Sequence, residues 1–309
     1  MIVSLRPALF GPLVILALFV ASAHSVQAQQ MEPRAYSNAP MGLNFLIAGF
    51  AHSEGDVLLD PSLPVEGAHA VVQTGLLGYA RTLDFRGQSG TIGLVLPYAS
   101  LSANGSLEGQ TLSAERSGFA DPALRLTVNL YGAPALSPQD FAGYKQDVIV
   151  GASLLVTAPL GRYDSSKVVN IGTNRWSVKP EIGVSKALGP WTLEAAAGAT
   201  FFSDNDEFLG NGTREQDPLY AIQAHVIYNF KPGMWGALDT TYYAGGRTSV
   251  NGGLKNDLQQ TWRFGATFSM AVSRRNSVKL YFSSGAIDRT GTDFRIIGIA
   301  WQYWWADQP

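Results

Sequence analysis

The chain has 309 residues, a formal net charge of −2, no cysteine and only 15% charged residues. The balanced charge is unlike that of a nucleic-acid-binding protein, and the lack of cysteine excludes disulfides. No apolar stretch reaches the roughly 20 residues that a membrane-spanning helix needs. The charged fraction lies below the ~25% that is typical of soluble domains.

Residues 1–28 are typical of a secretory signal peptide. Arg6 supplies the positive n-region, residues 9–21 form a short apolar core, and Val26-Gln27-Ala28 fits a small-x-small cleavage site. We therefore expect an exported mature chain that starts at Gln29. Residues 29–41 then form a periplasmic or lumen segment that precedes the first strand.

From residue 42 to 305 the chain alternates with period two, with apolar side chains on one face and polar ones on the other. In the segment 219–230, Tyr220 and Ile222 lie on one face, and Gln223 and His225 on the other. An outer-membrane β-barrel has this pattern, with apolar side chains towards lipid. The alternation predicts an all-β, antiparallel transmembrane barrel of about twelve strands: 42–53, 69–84, 90–101, 119–130, 147–159, 175–187, 191–203, 218–230, 234–247, 259–271, 277–288 and 293–305.

Short and long connections alternate between these strands, as expected for short periplasmic turns and longer external loops. The long loops are predicted at 54–68, 102–118, 160–174, 204–217 and 248–258, and the last one, 288–292, is short. The periplasmic connection 131–146 is also long, and Ser137-Pro138 is typical of a helix start. Pro97 and Pro180 fall inside predicted strands and therefore require a bulge or a strand end.

The last strand becomes more aromatic towards its end, as an interfacial girdle requires. Its segment 298–303, a glycine followed by alternating aromatics, resembles the C-terminal signal that the barrel-assembly machinery reads, and residues 306–309 trail beyond it as a tail. We therefore expect outer-membrane lipid, lipopolysaccharide and the assembly machinery as partners, and no nucleic acid. The apolar face consists of Ile297, Ile299, Trp301, Tyr303 and Trp305.

Catalytic, metal and cofactor sites are poorly supported by the sequence. His52 and Ser53 are adjacent, so on a strand they point to opposite faces, and His225 has no serine two residues away. Motifs for a nucleophile elbow, a zinc protease or a phosphate loop are missing. The acidic loop 204–207 fails the spacing of a calcium-binding loop and is interpreted as solvated. We expect no catalytic residues, no metal and no cofactor.

A set of charged and polar residues falls on the inward face. Arg or Lys towards lipid near the midplane costs about 2–4 kcal/mol, so these side chains must face the interior. Two interpretations stay open: a packed salt-bridge plug that only stabilises the barrel, or a lining for a solute path, for which twelve strands leave room. The lumen-lining candidates are Arg81, Arg125, Asn129, Lys179, Glu181, Glu194, Gln223, His225, Asp239, Tyr243, Arg247, Arg263, Lys279, Tyr281 and Gln302.

Several motifs spread over nearly the whole mature chain are similar to one family, the outer-membrane proteins named after the MetA pathway of phenol degradation. The motifs are 34–40 (RAYSNAP), 118–122 (GFADP), 157–164 (TAPLGRYD), 170–176 (NIGTNRW), Pro180-Glu181 and 189–191 (GPW). Ala120 stands where the family pattern has glycine. The resemblance implies an outer-membrane barrel for passive uptake of aromatic or other hydrophobic compounds, and it defines no catalytic residues.

Three alternatives to a transport barrel remain from the sequence. A plugged barrel would serve structure or surface binding without transport. A barrel enzyme acting on lipids is disfavoured because the pattern provides no nucleophile near a histidine. A soluble exported β-sandwich would bury the aromatic face in a core, and it has no reason to alternate long and short connections.

Overall fold

The computed structural model describes residues 31–56, 65–107, 110–167, 169–288 and 293–307. The predicted signal peptide, 1–28, lies outside these ranges, as do Gln29 and residues 289–292 of the predicted last loop. In chain order, the described ranges contain β1 (Leu43–Asp56), β2 (Val65–Phe85), β3 (Gln88–Leu107), β4 (Gln110–Phe119), β5 (Ala123–Tyr131), α1 (Pro138–Phe141), β6 (Val148–Thr157), β7 (Ser177–Leu188), β8 (Trp191–Phe202), β9 (Asn205–Phe208), β10 (Gly212–Gln216), β11 (Leu219–Lys231), β12 (Met234–Gly245), β13 (Thr248–Val250), β14 (Gly253–Leu254), β15 (Gln259–Ala271), β16 (Asn276–Asp288) and β17 (Asp293–Ala306).

The long strands close into one antiparallel barrel. β1 pairs with β2 on one side and with β17 on the other, so the first and last strands seal the sheet. β4 and β5 share one position, because β4 pairs with the second half of β3 and β5 with the first half. The predicted twelve-stranded antiparallel barrel is thereby confirmed.

Three of the predicted long external loops contain regular structure. Residues 102–118 extend β3 and β4 as a paired hairpin, while 204–217 and 248–258 contribute the four strands of a separate sheet, β14-β13-β10-β9. These segments are rich in Gly, Ser, Thr and Asn, a composition typical of turns. Strand pairing nevertheless provides hydrogen-bond partners for their backbone N–H and C=O groups.

Pro97 is accommodated where the neighbouring strand is broken. On one side of β3 it lies opposite Leu76 of β2. On its other side the pairing passes from β5 to β4 across residues 120–122, and the Ala120 amide donates to the Pro97 carbonyl at 2.9 Å. The missing N–H of proline therefore faces a gap in the ladder, as a proline inside a sheet requires.

Pro180 occupies a similar gap. It pairs with Leu154 of β6. Towards β8 the register runs from Val178 to Glu181 without a paired residue between them. Both prolines thus lie inside strands without removing a ladder hydrogen bond that the barrel needs.

The end of the barrel with the short turns, here called the turn end, also carries the start of β1, the end of β17 and the 132–147 segment. The predicted helix start is confirmed, because Ser137 caps α1 by accepting a hydrogen bond from the Asp140 amide at 3.2 Å. This segment is tied to the chain before β1, since the Met41 amide donates to the Leu136 carbonyl at 2.9 Å. No helix in the described part of the chain has the length and apolarity needed to cross a membrane.

The outer face of the barrel is apolar, as the alternation predicts. On β11, Tyr220, Ile222, Ala224 and Val226 are exposed, while residues 221, 223 and 225 between them are buried. On β17 the rings of Trp301, Tyr303 and Trp305 stack in sequence, with centroids 6.3 and 5.8 Å apart. Exposed apolar side chains in a continuous belt fit a lipid-facing surface with an aromatic girdle.

Candidate functional site

Inward-facing side chains give the barrel interior a charged sector and an apolar sector. The charged sector lies on the strands from β5 to β16. Most of the predicted lumen residues lie at inward positions of these strands. Their role as the lining of a solute path stays a prediction. They are Arg125, Asn129, Lys179, Glu181, Glu194, Gln223, His225, Asp239, Tyr243, Arg263, Lys279 and Tyr281, with Gln302 on β17.

Two predicted residues lie elsewhere. Arg81 has the outward parity of exposed Tyr79 on β2, and at the turn end it pairs with Asp307 of the tail at 2.6 Å. Because β2 is apolar on both faces, its sequence does not reveal the register. Arg247 follows β12, which ends at Gly245, and its carbonyl accepts a hydrogen bond from the residue 217 amide at 2.9 Å.

Glu181 is the hub of the charged sector. Its carboxylate lies 3.1 Å from an Arg125 nitrogen and 2.8 Å from Lys179 Nζ. It also accepts hydrogen bonds from Gln223 at 2.9 Å and from the Tyr36 hydroxyl at 3.0 Å. A buried carboxylate is tolerated only with such compensation, and this network joins three strands and the chain before β1.

A second buried cluster is built around His225 and Asp239, which face each other across β11 and β12. His225 Nδ1 lies 2.7 Å from Asp239 Oδ1, and the Thr267 hydroxyl donates to the other carboxylate oxygen at 2.9 Å. On the other side of β11, Glu194 is opposite His225 and accepts from the Ser185 hydroxyl at 3.0 Å. The two clusters form a continuous polar wall from β5 to β16.

Residues 31–42, here called the plug segment, lie against this wall inside the barrel. The Arg34 amide donates to Glu194 at 2.6 Å, and its guanidinium bonds the Asn229 side chain and lies 4.9 Å from the ring centroid of Trp235. Burial, which the charge of Glu194 offsets in part, lowers the pKa of Arg34 to about 10. The guanidinium therefore keeps its charge at neutral pH.

The plug segment also contacts other strands of the interior. Glu32 forms an ion pair with Arg125 of β5. The Asn129 side-chain amide, also on β5, donates to the Ser37 carbonyl at 3.4 Å. Together with the Arg34 contacts on β8, β11 and β12, these bonds fix the segment across the charged side of the interior.

Tyr36 is the most tightly packed residue of the plug segment. Its ring lies over the cross-strand pair of Gly151 on β6 and Gly183 on β7, where a Cβ would stand 3.0 and 2.9 Å from ring carbons, and closer still to others. Only glycine leaves room for a ring against the strands. Burial and the nearby charge of Glu181 raise the pKa of the Tyr36 hydroxyl, so it remains a neutral donor.

The apolar sector covers the inner face of β1, β2, β3 and β17. Near the turn end it consists of Leu43, Phe45, Ile47, Leu76, Ala80, Val95 and Ala300. It continues through Ala51, Phe294 and Ile296. Towards the loop end it includes Ala70, Val72, Ala99, Leu101, Ala103 and Ala120, against which Val169 and Ile171 pack. Alternation could not identify this sector, because these strands are apolar on both faces.

The segment 158–176 between β6 and β7 is anchored at the break between β4 and β5. Asp121, fully buried in that break, accepts hydrogen bonds from the Gly161 amide and from the Thr173 amide at 2.8 Å each, and from the Thr173 hydroxyl at 2.7 Å. The segment thereby carries Val169 and Ile171 onto the apolar sector. Asp121, in the 118–122 motif, thus holds the segment 158–176 against the break between β4 and β5, a contact here called the Asp121 latch.

Within the described ranges, no group of three or more His, Cys, Asp or Glu side chains is arranged to hold a metal ion. In the acidic loop, Glu207 instead accepts a hydrogen bond from Asn174 at 3.3 Å. His52 and Ser53 lie on opposite faces of β1, as predicted from their adjacency.

Comparisons with known proteins agree with this architecture. The sequence profile of the family described as "Putative MetA-pathway of phenol degradation" matches residues 53–301. An outer membrane channel from Pseudomonas putida F1 has 22% identity and a TM-score of 0.75, covering 89% of this chain and 100% of that chain. The beta domain of the Bordetella autotransporter BrkA has 9% identity and a TM-score of 0.52, covering 85% of this chain and 99% of that chain. Curated protein sequences contain no significant match.

Proposed function

The chain belongs to the phenol-degradation MetA-pathway family, and from this premise we propose that it is an outer-membrane channel that passes small hydrophobic or aromatic compounds passively. The closed twelve-stranded barrel and the lipid-facing aromatic belt support a membrane location. The similar Pseudomonas putida protein is itself an outer membrane channel. The export signal predicted at 1–28 and the aromatic C-terminal strand support delivery to the outer membrane by the barrel-assembly machinery.

The observation that carries the proposal is the apolar sector of the interior. Porin interiors are polar because they conduct water and ions. Here the inner faces of β1, β2, β3 and β17 carry residues such as Phe45, Ile47 and Val95, although the outer faces of the same strands are also apolar. Apolar residues on both faces are unnecessary for a barrel in lipid. They suit an interior that accommodates an apolar solute.

The plug segment lies inside the barrel, so the proposed channel is not a wide open pore. We propose 29–41 as an N-terminal lumen segment, whose described residues belong to the plug segment, 42–305 as the barrel and 306–309 as a C-terminal tail. The polar anchors of the plug, such as Arg34 to Glu194 and Glu32 to Arg125, would restrict ion flow at the turn end. Solutes would then pass either beside the plug or after it shifts.

Two measurements on the full-length protein test the proposal. The first is single-channel conductance of the refolded protein in planar bilayers, with heat-modifiable gel migration as the check on folding. We expect small conductance steps rather than those of an open porin. The second is uptake of a labelled aromatic compound by cells with and without the protein, where we expect faster uptake with it.

A matched pair of variants connects uptake to the apolar sector. Ile47→Asn places an amide in that sector, whereas Thr200→Asn places the same group at a buried inward position of β8 in the charged sector. We expect the first to slow aromatic uptake and the second to leave it near wild type. Equal uptake by both, with both folded, would contradict a path along the apolar sector.

The alternative is a plugged barrel with a structural or surface-binding role. The dense hydrogen bonding of Glu181 and the fixed position of Tyr36 are the features that favour it. Uptake that does not depend on the protein would support this alternative. A lipid-modifying barrel enzyme is the less favoured alternative, because the similar Pseudomonas putida protein is described as a channel.

A further inference from the structure

The segment between β6 and β7 forms a compact loop with a narrow neck. The Gly172 amide donates to the Arg162 carbonyl at 2.8 Å, which closes the neck. A Cβ on Gly172 would lie 2.8 Å from the carbonyl carbon of Gly161, so only glycine permits this approach of the two backbones. A surface loop whose two ends meet in this way is an Ω-loop. Residues 161–167 and 169–173 are here called the mouth lid.

The tip of the mouth lid is held by its own hydrogen bonds. The Asp164 amide donates to Asn170 Oδ1 at 2.8 Å, and Asn170 Nδ2 donates to the Asp164 carbonyl at 3.1 Å. The Ser166 amide and hydroxyl donate to the Asp164 carboxylate at 3.0 and 2.7 Å. Because these bonds stay within the lid, the tip can move as one body about its neck without unfolding.

The underside of the mouth lid covers the loop end of the apolar sector. Val169 and Ile171 are 2% and 1% exposed, and they belong to the same buried cluster as Val72 of β2 and Leu101 of β3. Those strand residues face inward, so the lid lies inside the mouth of the barrel. In the strand order β2 is three positions from β6, which the lid follows. The lid therefore reaches across the mouth onto the surface that the proposed function assigns to apolar solutes.

Two sets of polar contacts hold the mouth lid in this position. The Asp121 latch fixes its neck through the Gly161 amide and the Thr173 amide and hydroxyl. Beside the neck, the Tyr163 hydroxyl accepts a hydrogen bond from Asn205 Nδ2 at 3.0 Å and donates to the Glu207 carbonyl at 3.2 Å. The lid is thus clamped between the break in the barrel wall and the small external sheet.

We propose that the mouth lid is the external gate of the solute path, closed by the contact of Val169 and Ile171 with the apolar sector. The gate rests on the proposed channel function and adds regulation to it. An apolar solute covers the sector with the same kind of surface that these two side chains provide, so it can take their place. Water and ions provide no such surface. The gate therefore admits apolar solutes while it limits the ion current.

A single introduced thiol reports opening of the lid, since the chain contains no cysteine. Ile171→Cys is compared with Leu160→Cys, whose position precedes the lid and is 74% exposed. The full-length proteins in nanodiscs are treated with a water-soluble maleimide. Because a buried thiol reacts only when the lid opens, we expect Ile171→Cys to react at least about tenfold more slowly than Leu160→Cys. Asp121→Ala should speed the reaction at position 171 about tenfold, because hydrogen bonds to a buried carboxylate are lost.

Ile227→Cys separates opening of the lid from loosening of the barrel. Ile227 is fully buried on β11, outside the apolar sector. Its thiol should react slowly with or without Asp121→Ala. Equal acceleration at positions 171 and 227 would overturn the lid, as would an unchanged reaction at 171 when Asp121 is replaced.

Uptake shows whether the lid limits entry. Ile171→Ser removes an apolar contact of the lid, and Leu160→Ser makes a matched change at the exposed position. Initial uptake of labelled toluene is compared in cells with equal amounts of folded barrel. We expect Ile171→Ser to be at least about threefold faster than wild type, and Leu160→Ser to equal wild type.

Two results distinguish failure of the gate from failure of the channel. Equal uptake by wild type, Ile171→Ser and Leu160→Ser, all faster than cells without the protein, would overturn the gate and leave the channel standing. Uptake by wild type and Ile171→Ser no faster than by cells without the protein would contradict the channel function itself.

Discussion

Gly183→Ala is expected to release the plug segment while leaving the barrel intact. A Cβ at Gly183 would stand 2.9 Å from Tyr36 Cζ and closer to two other ring carbons, where ordinary contact begins near 3.4 Å. Gly151, the cross-strand neighbour of Gly183, lies beneath the other edge of the ring, so the ring avoids the new Cβ only by lifting away from both strands. It must leave its slot, and the hydrogen bond from its hydroxyl to Glu181 at 3.0 Å is lost.

The magnitude follows from that bond. A hydrogen bond to a charged group contributes about 1.5–3 kcal/mol, so the population of the anchored plug should fall relative to the released state by roughly 10- to 150-fold. In planar bilayers, Gly183→Ala should show larger or more frequent conductance steps than wild type. Gly75→Ala on β2 is the matched control, since a Cβ there meets nothing within 4 Å. If all three proteins have the same conductance and the same heat-modifiable migration, the reasoning on the plug is refuted.

Three further perturbations test other parts of the account. Arg125→Ala removes the ion-pair partner of Glu32 and leaves Glu181 with Lys179 as its remaining cation. It should lower the unfolding free energy by about 3–5 kcal/mol, measured by urea titration in lipid. Arg81→Ala at the half-exposed rim should change it by less than about 1 kcal/mol. Asp121→Ala removes three hydrogen bonds to the segment 158–176, so limited proteolysis should cut that segment faster than in wild type; unchanged cleavage would disprove the latch. Leu238→Arg on the exposed outer face of β12 should destabilise the barrel by about 2–4 kcal/mol, and wild-type stability would show that this position does not face lipid.

Strand number and register in the second half of the barrel could be predicted from sequence, because each strand there is apolar on one face only. On β11, His225 and Gln223 are inward for the same reason that Tyr220 and Ile222 are outward. The period-two rule needs only this contrast. For such strands, alternation predicts both the position of the strand in the sequence and which of its side chains face inward.

The same rule fails where both faces are apolar. On β2 the inward Leu76 and the outward Leu77 are indistinguishable by hydropathy. Arg81 was therefore expected in the interior, although it pairs with Asp307 at the rim. For this reason alternation could not predict the apolar sector, although this sector matters most for the proposed function.

The position of the plug segment could not be predicted either. The sequence 29–41 has no periodicity. Contacts of its described residues reach strands more than a hundred positions away, as the hydrogen bond from Tyr36 to Glu181 shows. Glycines at 151 and 183 are unremarkable in a strand pattern until the ring that they accommodate is known. Such a fit is a property of tertiary structure alone.

Uptake of a radiolabelled aromatic compound, at concentrations where entry limits the rate, tests the central claim most directly. Cells that produce the protein, cells that lack it and cells that produce Ile47→Asn are compared at equal amounts of folded barrel in the outer membrane. The account predicts fast initial uptake with the wild-type protein, and slow uptake without it or with the variant. Equal initial rates in all three would contradict a channel that passes hydrophobic compounds along its apolar sector.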